Sequence, residues 1–446
     1  MVHLISEADL VVLLAHGLGA RGDLPLPATA LAIGAAIAVV VSAVAMMVAW
    51  TDSAFEELAI GRRGPRVGAS PMRLALVFTR LVGVVLFAMT LFAAFTVTDN
   101  VAENISVRMV YVFYWVVLPL SAVVLGDLWR LFSPFEAVAS VLEFFRSSTQ
   151  QDDGVEDQSG ALWGVAVALL AFLWLELAYH KPASAVMISW YLATYAAWMI
   201  IGTVIGRRRW LRANDPLGIL VGLFAAIAPI HVYEGRLRFR WPLTGLARVI
   251  PRRGLAAVVL VVLAGTSFDG VSRTGMWADL MGDSRGWSAT GLRTVGLVFT
   301  IAVATTLYLL AIRFMRTITS STRDDLEDVL ALSLVPVAVG YAIAHYFSLA
   351  VFESQFLIIQ ASDPLSKGWD LFGTGGWFTN YTVVSTTTIA WAQAGGIIVG
   401  HLAGVVIGHD RAVKVLPKKH SVDAQLGLVL VMATFTVIGL LIMVNA

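Results

Sequence analysis

The stretch Ser385–Asp410, STTTIAWAQAGGIIVGHLAGVVIGHD, constrains the fold more than any other. As a helix rising about 1.5 Å per residue, it is long enough to cross about 30 Å of hydrocarbon. Gly396, Gly400, Gly404 and Gly408 recur every four residues within it. This spacing gives overlapping GxxxG units, a smooth strip against which a second helix backbone can pack closely. The stretch therefore predicts a membrane-spanning helix in a tightly packed bundle.

The composition of the whole chain supports a membrane protein. Of its 446 residues, 58% are hydrophobic and only 14% are charged, against about 25% charged in soluble domains. We predict an all-α polytopic integral membrane protein with about ten transmembrane helices (10–11), plus interfacial or re-entrant helices. The net charge of +1 gives no indication of a nucleic-acid partner. With no cysteine, the chain cannot build thiolate metal sites, an iron–sulfur cluster or a covalent haem attachment.

Hydropathy divides the chain into spans without leaving a sizeable soluble domain, so residues 1–446 form a single transmembrane helical domain. Residues 1–25 read as an external N-terminal loop, and 127–159 as a cytoplasmic interfacial helix followed by an acidic linker. Residues 359–382, rich in glycine and aromatic residues, read as an external loop. The predicted spans are roughly 26–50, 72–98, 106–126, 160–179, 184–206, 254–272, 290–316, 329–358, 383–408 and 424–444.

Residues 215–232 are ambiguous. If they spanned the membrane, the arginines before and after them would lie on opposite sides. If they are re-entrant or interfacial, residues 207–253 form one arginine-rich cytoplasmic cap, and the other loops obey the positive-inside rule. We therefore predict ten spans with both termini external.

Ionisable and polar residues fall within the outer half of these spans or next to it. Such groups are costly in hydrocarbon and mark substrate or proton paths. They can also be helix-end residues in water or singly hydrogen-bonded core imidazoles. For His345, His401 and Asp269 together we favour convergence, because three buried polar groups on different helices are costly unless they meet. The candidates for a substrate or proton path are Glu176, Asp269, His345, Glu353, Gln393, His401, Trp369 and Asp370.

Motifs of soluble enzymes are not convincing in this chain. Residues 282–286 match the G-x-S-x-G pattern of a nucleophile elbow, but they lie in an external loop without the strand and helix that the motif requires. The sequence has neither a Walker A nucleotide motif nor an H-E-x-x-H zinc motif.

Four sequence blocks are nevertheless distinctive: AHGLGARGDLPLP (15–27), SFDGVSRT (267–274), SDPLSKGWDLFGT (362–374) and GHLAGVVIGHDRA (400–412). Together they resemble a family of prokaryotic, actinobacterial-type multi-spanning membrane proteins often labelled fenitrothion hydrolase. The resemblance runs through the chain and implies hydrolysis of an organophosphate triester in or at a prokaryotic plasma membrane. The residues that stand within these blocks are His16, Asp269, Asp370, His401, His409 and Asp410.

The chemistry that this label implies needs an activated water, usually on a metal ion. Imidazoles and a carboxylate are suitable ligands for Zn²⁺ or another divalent ion. The candidate ligands are His16, Asp269, His345 and His401.

Three functions remain open at this stage. The first is a permease or proton-coupled transporter with a polar site in the outer half of the bundle. The second is a membrane-embedded, metal-dependent hydrolase of the labelled family. The third is a non-catalytic or haem-binding membrane subunit, with haem held non-covalently by His345 and His401. The expected partners are the lipid bilayer, a small-molecule or ion substrate, and partner subunits or further copies of the chain.

Overall fold

The computed structural model describes residues 28–66, 68–145, 160–233, 236–418 and 421–445. The predicted N-terminal loop with His16 and the acidic linker at 148–159 lie outside the described residues. Within them, eight helices are long and apolar enough to cross a membrane, or nine if one bent pair is a single span. The prediction of an all-α polytopic membrane protein is confirmed.

The helices are numbered here in chain order. The first nine are α1 (Ala28–Ala49), α2 (Phe55–Leu58), α3 (Ala69–Thr96), α4 (Ile105–Leu125), α5 (Leu128–Phe132), α6 (Pro134–Phe145), α7 (Trp163–Leu177), α8 (Ala185–Asn214) and α9 (Pro216–Ala225). The remaining seven are α10 (Leu255–Val271), α11 (Gly275–Met281), α12 (Gly286–Thr319), α13 (Leu326–Ala331), α14 (Leu334–Ala361), α15 (Thr386–Val415) and α16 (Ser421–Asn445). A 3-10 turn covers Thr244–Arg248.

A helix lies at each of the ten predicted spans, but two of them differ from a simple crossing. Helix α7 has 15 residues and is therefore only about 22 Å long. Helix α10 has 17 residues, and the chain then bends by 82° into α11.

The ambiguous segment 215–232 does not form a span of its own. Helix α9 has ten residues, so it is about 15 Å long, half the thickness of the hydrocarbon. Asp215, at its start, accepts hydrogen bonds of 2.6 Å from Trp129 Nε1 and from Tyr195 Oη. At its other end, the Arg240 guanidinium donates to the carbonyls of Ala225, Ala226 and Ala228. Both ends of this short helix therefore have protein partners.

A small antiparallel sheet in the arginine-rich region was not predicted. Its strands β1 (Arg62–Arg66), β2 (Ile230–Tyr233) and β3 (Arg236–Phe239) are ordered β1-β3-β2. The alternation in IHVY and RLRF on either side of Glu-Gly is a hairpin signal, but RRGPR carries none.

Helices α13 and α14 form the centre of the bundle. The apolar window of Leu326–Ala361 is 83% buried inside the protein, against 17% for Met72–Thr96, which places α3 at the periphery. Helix α14 packs most extensively against α15, which carries the glycine strip. A Cβ at Gly400 would lie 2.8 Å from the Pro336 carbonyl oxygen. The strip therefore lets the two backbones approach closely.

Helices α7, α10 and α14 start at the same end of the bundle. Leu162 N, just before α7, donates to Arg253 O over 2.7 Å, and Asp328 of α13 accepts a hydrogen bond from Ala256 N of α10. We call this the arginine-rich end, formed by β1–β3 and residues 240–253. Residues near the C-terminal ends of α7 and α10 therefore lie in the opposite half.

Candidate functional site

A carboxylate and an imidazole from two helices meet in the half opposite the arginine-rich end. Asp269 lies about 21 Å along α10 from Leu255, and His345 about 16 Å along α14 from Leu334. The His345 Nε2 forms a short hydrogen bond with Asp269 Oδ2, and Asp269 is 1% exposed. The sequence analysis favoured convergence of His345, His401 and Asp269, and the structure brings His345 and Asp269 into contact.

Arg273 completes this contact from the turn that follows α10. Its Nη2 lies 2.9 Å from His345 Nε2 and 3.5 Å from Asp269 Oδ2. A protonated Nε2 donates to the carboxylate, whereas an unprotonated Nε2 accepts from the guanidinium, which is a donor only. The same nitrogen therefore has a partner in either protonation state.

A second carboxylate lies close to this pair. Glu176, near the end of α7, accepts a 3.3 Å hydrogen bond from Tyr346 Oη, and Tyr346 itself accepts one of 3.1 Å from Trp115 Nε1. The Glu176 Oε2 atom is buried and has no hydrogen-bond partner among the described residues. The rings of His345 and Tyr346 lie 4.9 Å apart, so α14 carries one side chain toward each carboxylate. We call Glu176, Asp269, Arg273, His345 and Tyr346 the Asp269 centre.

An unusual helix supplies the Trp115 contact. Residues Met109–Val117 of α4 form a π-helix of nine residues. Such segments are rare and frequently occur at functional sites, because they change which side chains face a neighbouring helix. Here the π-helix packs against α14 and brings Trp115 to Tyr346.

The Asp269 centre is connected to the protein surface through Arg273. The side chain of Arg273 is 23% exposed, that of His345 12%, and that of Asp269 1%. Arg273 lies in the 82° bend between α10 and α11. Solvent exposure therefore decreases from the guanidinium, through the imidazole, to the carboxylate.

Glu353 belongs to a separate ion pair. Its Oε2 accepts a 2.8 Å hydrogen bond from Arg108 Nε, and both side chains are largely buried. Arg108 also donates to Val101 O over 2.7 Å and lies over the Phe356 ring, 4.0 Å from its centroid. Both groups have specific partners, so this pair joins α4 to α14.

His401 does not join the Asp269 centre. Its Nδ1 lies 2.8 Å from Ile397 O of the same helix, and its ring packs edge-on against Tyr341 at 6.0 Å. Its Nε2 is buried, and no residue in the part of the chain that the structure describes forms a hydrogen bond with it. Gln393 is half-buried two turns earlier on α15. The pair of imidazoles expected to hold haem is therefore separated into two environments.

The metal site proposed from the sequence has only part of its ligand set in place. Asp269 and His345 meet, His401 lies elsewhere, and His16 is outside the described residues. In the part of the chain that the structure describes, no group of three His, Cys, Asp or Glu side chains is arranged to hold a metal ion.

Trp369 and Asp370 lie in the loop between α14 and α15. Trp369 is 45% exposed, and Asp370 accepts a 2.9 Å hydrogen bond from Gly375 N within the same loop. Neither contacts the Asp269 centre.

His409, Asp410 and Arg411 form a second buried cluster, at the arginine-rich end. The two imidazole nitrogens of His409 lie 2.9 Å from Gln425 Oε1 and 2.8 Å from Trp50 O. Asp410 Oδ1 accepts from the backbone N–H groups of Ala54 and Phe55. Arg411 contacts Asp410, Glu56 Oε1 at 3.0 Å and Ala247 O at 3.0 Å. We call this cluster the His409 anchor, because it holds the chain after α1 and the 3-10 turn against α15.

Two members of the Asp269 centre were missed in the sequence. Arg273 follows Asp269 by four residues, and this i,i+4 spacing could have identified it as a partner. Tyr346 carries no such signal, because only the packing of α14 shows which way its ring points.

Comparison of the chain with protein-family models, with curated proteins and with solved structures finds no match. The resemblance to the fenitrothion hydrolase family stays a prediction. The inference of function therefore depends on the chemistry of the Asp269 centre in a multi-pass membrane protein.

Proposed function

We propose that this protein is a proton-coupled permease in which the Asp269 centre takes up and releases protons. The observation that carries the proposal is the position of His345 Nε2 between the Asp269 carboxylate and the Arg273 guanidinium. Chains of Asp, Glu and His inside membrane proteins commonly form proton relays, whereas isolated charges there are costly.

The proton transfer is balanced within the three side chains. When Nε2 of His345 holds a proton, it donates to Asp269. When that proton moves to the carboxylate, the lone pair of Nε2 accepts from Arg273, which keeps its own protons. The partly exposed guanidinium leads from this pair to the surface, and Glu176, which accepts from Tyr346, provides a second carboxylate.

Proton flux into liposomes tests this proposal. The purified protein is reconstituted with a pH-sensitive dye inside, and a potassium gradient with valinomycin imposes a membrane potential. We expect a dye response faster than that of protein-free liposomes, and its loss in Asp269→Asn and His345→Gln. The matched control is Glu103→Gln, an exposed carboxylate outside the centre that accepts from Thr98 and Asn100. Wild-type flux equal to that of empty liposomes would overturn the proposal.

The same preparation tests the hydrolase predicted from the family resemblance. Asp269 and Arg273 both lie in the block 267–274 on which that resemblance depends. Hydrolysis of a p-nitrophenyl phosphate triester that requires added Zn²⁺ and disappears in Asp269→Asn would assign the centre to the enzyme. Proton flux without hydrolysis favours the permease.

A further inference from the structure

The three-stranded sheet concentrates arginines on one face. Cross-strand partners share a face of a sheet, and β1 pairs with β3 so that Arg63 is opposite Arg238 and Arg66 opposite Arg236. An irregularity between Arg63 and Arg66 shifts the register, so that two residues three positions apart reach the same face. Arg63, Arg66 and Arg236 therefore lie on one small surface, whereas Arg238 on the same face is buried, with 3% exposure.

Like charges directly opposite each other destabilise a sheet. Among the described residues, no carboxylate forms an ion pair with Arg63, Arg66 or Arg236. Of the two acids in α2, Glu56 is already paired with Arg411 and Lys414, and no ion pair joins Glu57 to these arginines among the described residues. Neither Glu56 nor Glu57 therefore balances the repulsion between Arg66 and Arg236, and an anion from outside the chain would relieve it.

A nearby imidazole lies against the buried arginine of this face. His231 of β2 is opposite Arg238 of β3. Burial, and then Arg240, Arg238 and Arg248, lower the pKa of His231 from 6.5 to about 4.

The other face of the sheet is exposed and mostly apolar, with Arg62 as the charged residue opposite Phe239. Val232 is 55% exposed and Phe239 49%, and Trp241, just after β3, is 71% exposed. A basic face and an exposed apolar face on one element are typical of structures that lie in a membrane interface. An acidic protein or a free phosphate would explain the arginines but would leave these side chains in water.

The connection of the sheet to a membrane span indicates which anion could bind to it. Strand β1 ends at Arg66, and α3, which contains a membrane span, begins at Ala69. An extended chain covers at most about 10 Å over this interval. The sheet is therefore held beside the bilayer surface by its own chain.

We propose that this sheet lies in the membrane interface and binds the phosphates of anionic phospholipid headgroups. The apolar face enters the boundary with the acyl chains, and the arginines of the opposite face extend along the sheet edge to the phosphates. A free inorganic anion could satisfy only the arginines.

The absence of native cysteine allows a direct test. The full chain with Val232→Cys is labelled with a nitroxide and reconstituted in phosphatidylcholine vesicles with or without phosphatidylglycerol. Collision rates with oxygen, which enriches in lipid, and with a water-soluble nickel chelate report the depth. We expect the label to become lipid-exposed in the vesicles with phosphatidylglycerol, whereas Thr322→Cys, in an exposed loop at the same end, stays aqueous.

A charge-matched pair of double variants tests the role of the arginines. Arg63→Gln with Arg66→Gln should abolish the effect of phosphatidylglycerol on the label at 232. The control, Arg130→Gln with Arg323→Gln, removes two arginines that are paired with Asp127 and Asp325, and should retain it. A label that stays aqueous in both compositions, or a lipid response unchanged by removing Arg63 and Arg66, overturns the proposal. A response to inorganic phosphate equal to that to phosphatidylglycerol also overturns it.

Arg66→Glu separates a binding role from a structural one. The new carboxylate would lie opposite Arg236 and form an attractive cross-strand pair. We expect the unfolding midpoint in neutral detergent to rise by about 1–2 °C while the phosphatidylglycerol response is lost. A fall in the midpoint would show that Arg66 stabilises the fold, and would contradict the proposed repulsion.

Discussion

The Asp269 centre and the His409 anchor are built from the same residue types but have opposite chemistry. Each contains a histidine, an aspartate and an arginine in or beside a membrane-spanning helix. In the His409 anchor, the imidazole contacts an amide and a backbone carbonyl, and Asp410 binds two backbone N–H groups besides Arg411. In the Asp269 centre, the imidazole contacts a carboxylate directly, so a proton can pass between two ionisable groups. An intramembrane charge cluster is therefore a candidate proton site when its partners can also change their protonation.

Removing the charge of Asp410 should have the largest effect on stability. Asp410 is fully buried and Arg411 is 5% exposed, so Asp410→Asn leaves a buried guanidinium without its main counter-ion. Breaking a buried ion pair costs about 3–5 kcal/mol. We expect a loss of this order in denaturant unfolding. A change below about 1 kcal/mol would remove the distinction between the two clusters, since Asp410 would then not hold the fold together.

The glycine strip links the two regions, because it fixes α15 against the helix that carries His345. A Cβ at Gly400 would lie 2.8 Å from the Pro336 carbonyl oxygen, so Gly400→Ala should destabilise the protein by about 1–3 kcal/mol. Gly395→Ala on the same helix is the matched control, since nothing lies within 4 Å of its added Cβ. Thermal unfolding of both variants checks the prediction. Equal stability of the two would mean that the helices do not pack closely in the membrane.

Glu176→Gln should affect function much more than stability. The amide fills the same volume and can still accept a hydrogen bond from Tyr346, but it cannot bind a proton at neutral pH. We expect the proton flux into liposomes to fall about tenfold, equivalent to about 1.4 kcal/mol in the barrier. Unchanged flux would restrict the Asp269 centre to Asp269, Arg273 and His345.

The smallest expected effect concerns His231, an imidazole outside both regions. The pKa of His231 is lowered to about 4, so between pH 6.5 and 4 the unfolded chain binds a proton that the folded chain does not. The contribution of His231 to stability is therefore complete above pH 6.5 and is lost as the pH falls toward 4. The unfolding midpoint of the wild type should decrease slightly more than that of His231→Gln between pH 7.5 and 5. Identical pH profiles would contradict the lowered pKa.

The helices were predictable because each span has a long apolar segment, and hydropathy alone locates such segments. The contact between Asp269 and His345 was predictable from the free-energy cost of polar groups in hydrocarbon, since two such groups in the same half of a bundle need partners. The exclusion of His401 was not, because α14 and α15 are apolar around most of their circumference. Their sequences do not indicate which face meets which neighbour.

The role of the His409 anchor could not be derived from the sequence either, and the reason is a different one. The groups that Asp410 binds are backbone N–H groups 356 and 355 residues earlier in the chain, and a backbone group has no sequence signature. Part of the sheet could be predicted, since polar and apolar residues alternate in β2 and β3 on either side of Glu-Gly. The pairing of β1 with β3 could not, because it joins segments that are far apart in the sequence.

Helix α9 has a consequence for the order of assembly. An acid lies at its N-terminus and a guanidinium at its C-terminus, so both ends of the helix dipole face an opposite charge. These groups come from Asp215, with its donors Trp129 and Tyr195, and from Arg240, which is made later. A ribosome therefore exposes α9 before its C-terminal partner exists. We expect this helix to dock only after residues 236–240 have been synthesised, when its carbonyl groups no longer need water.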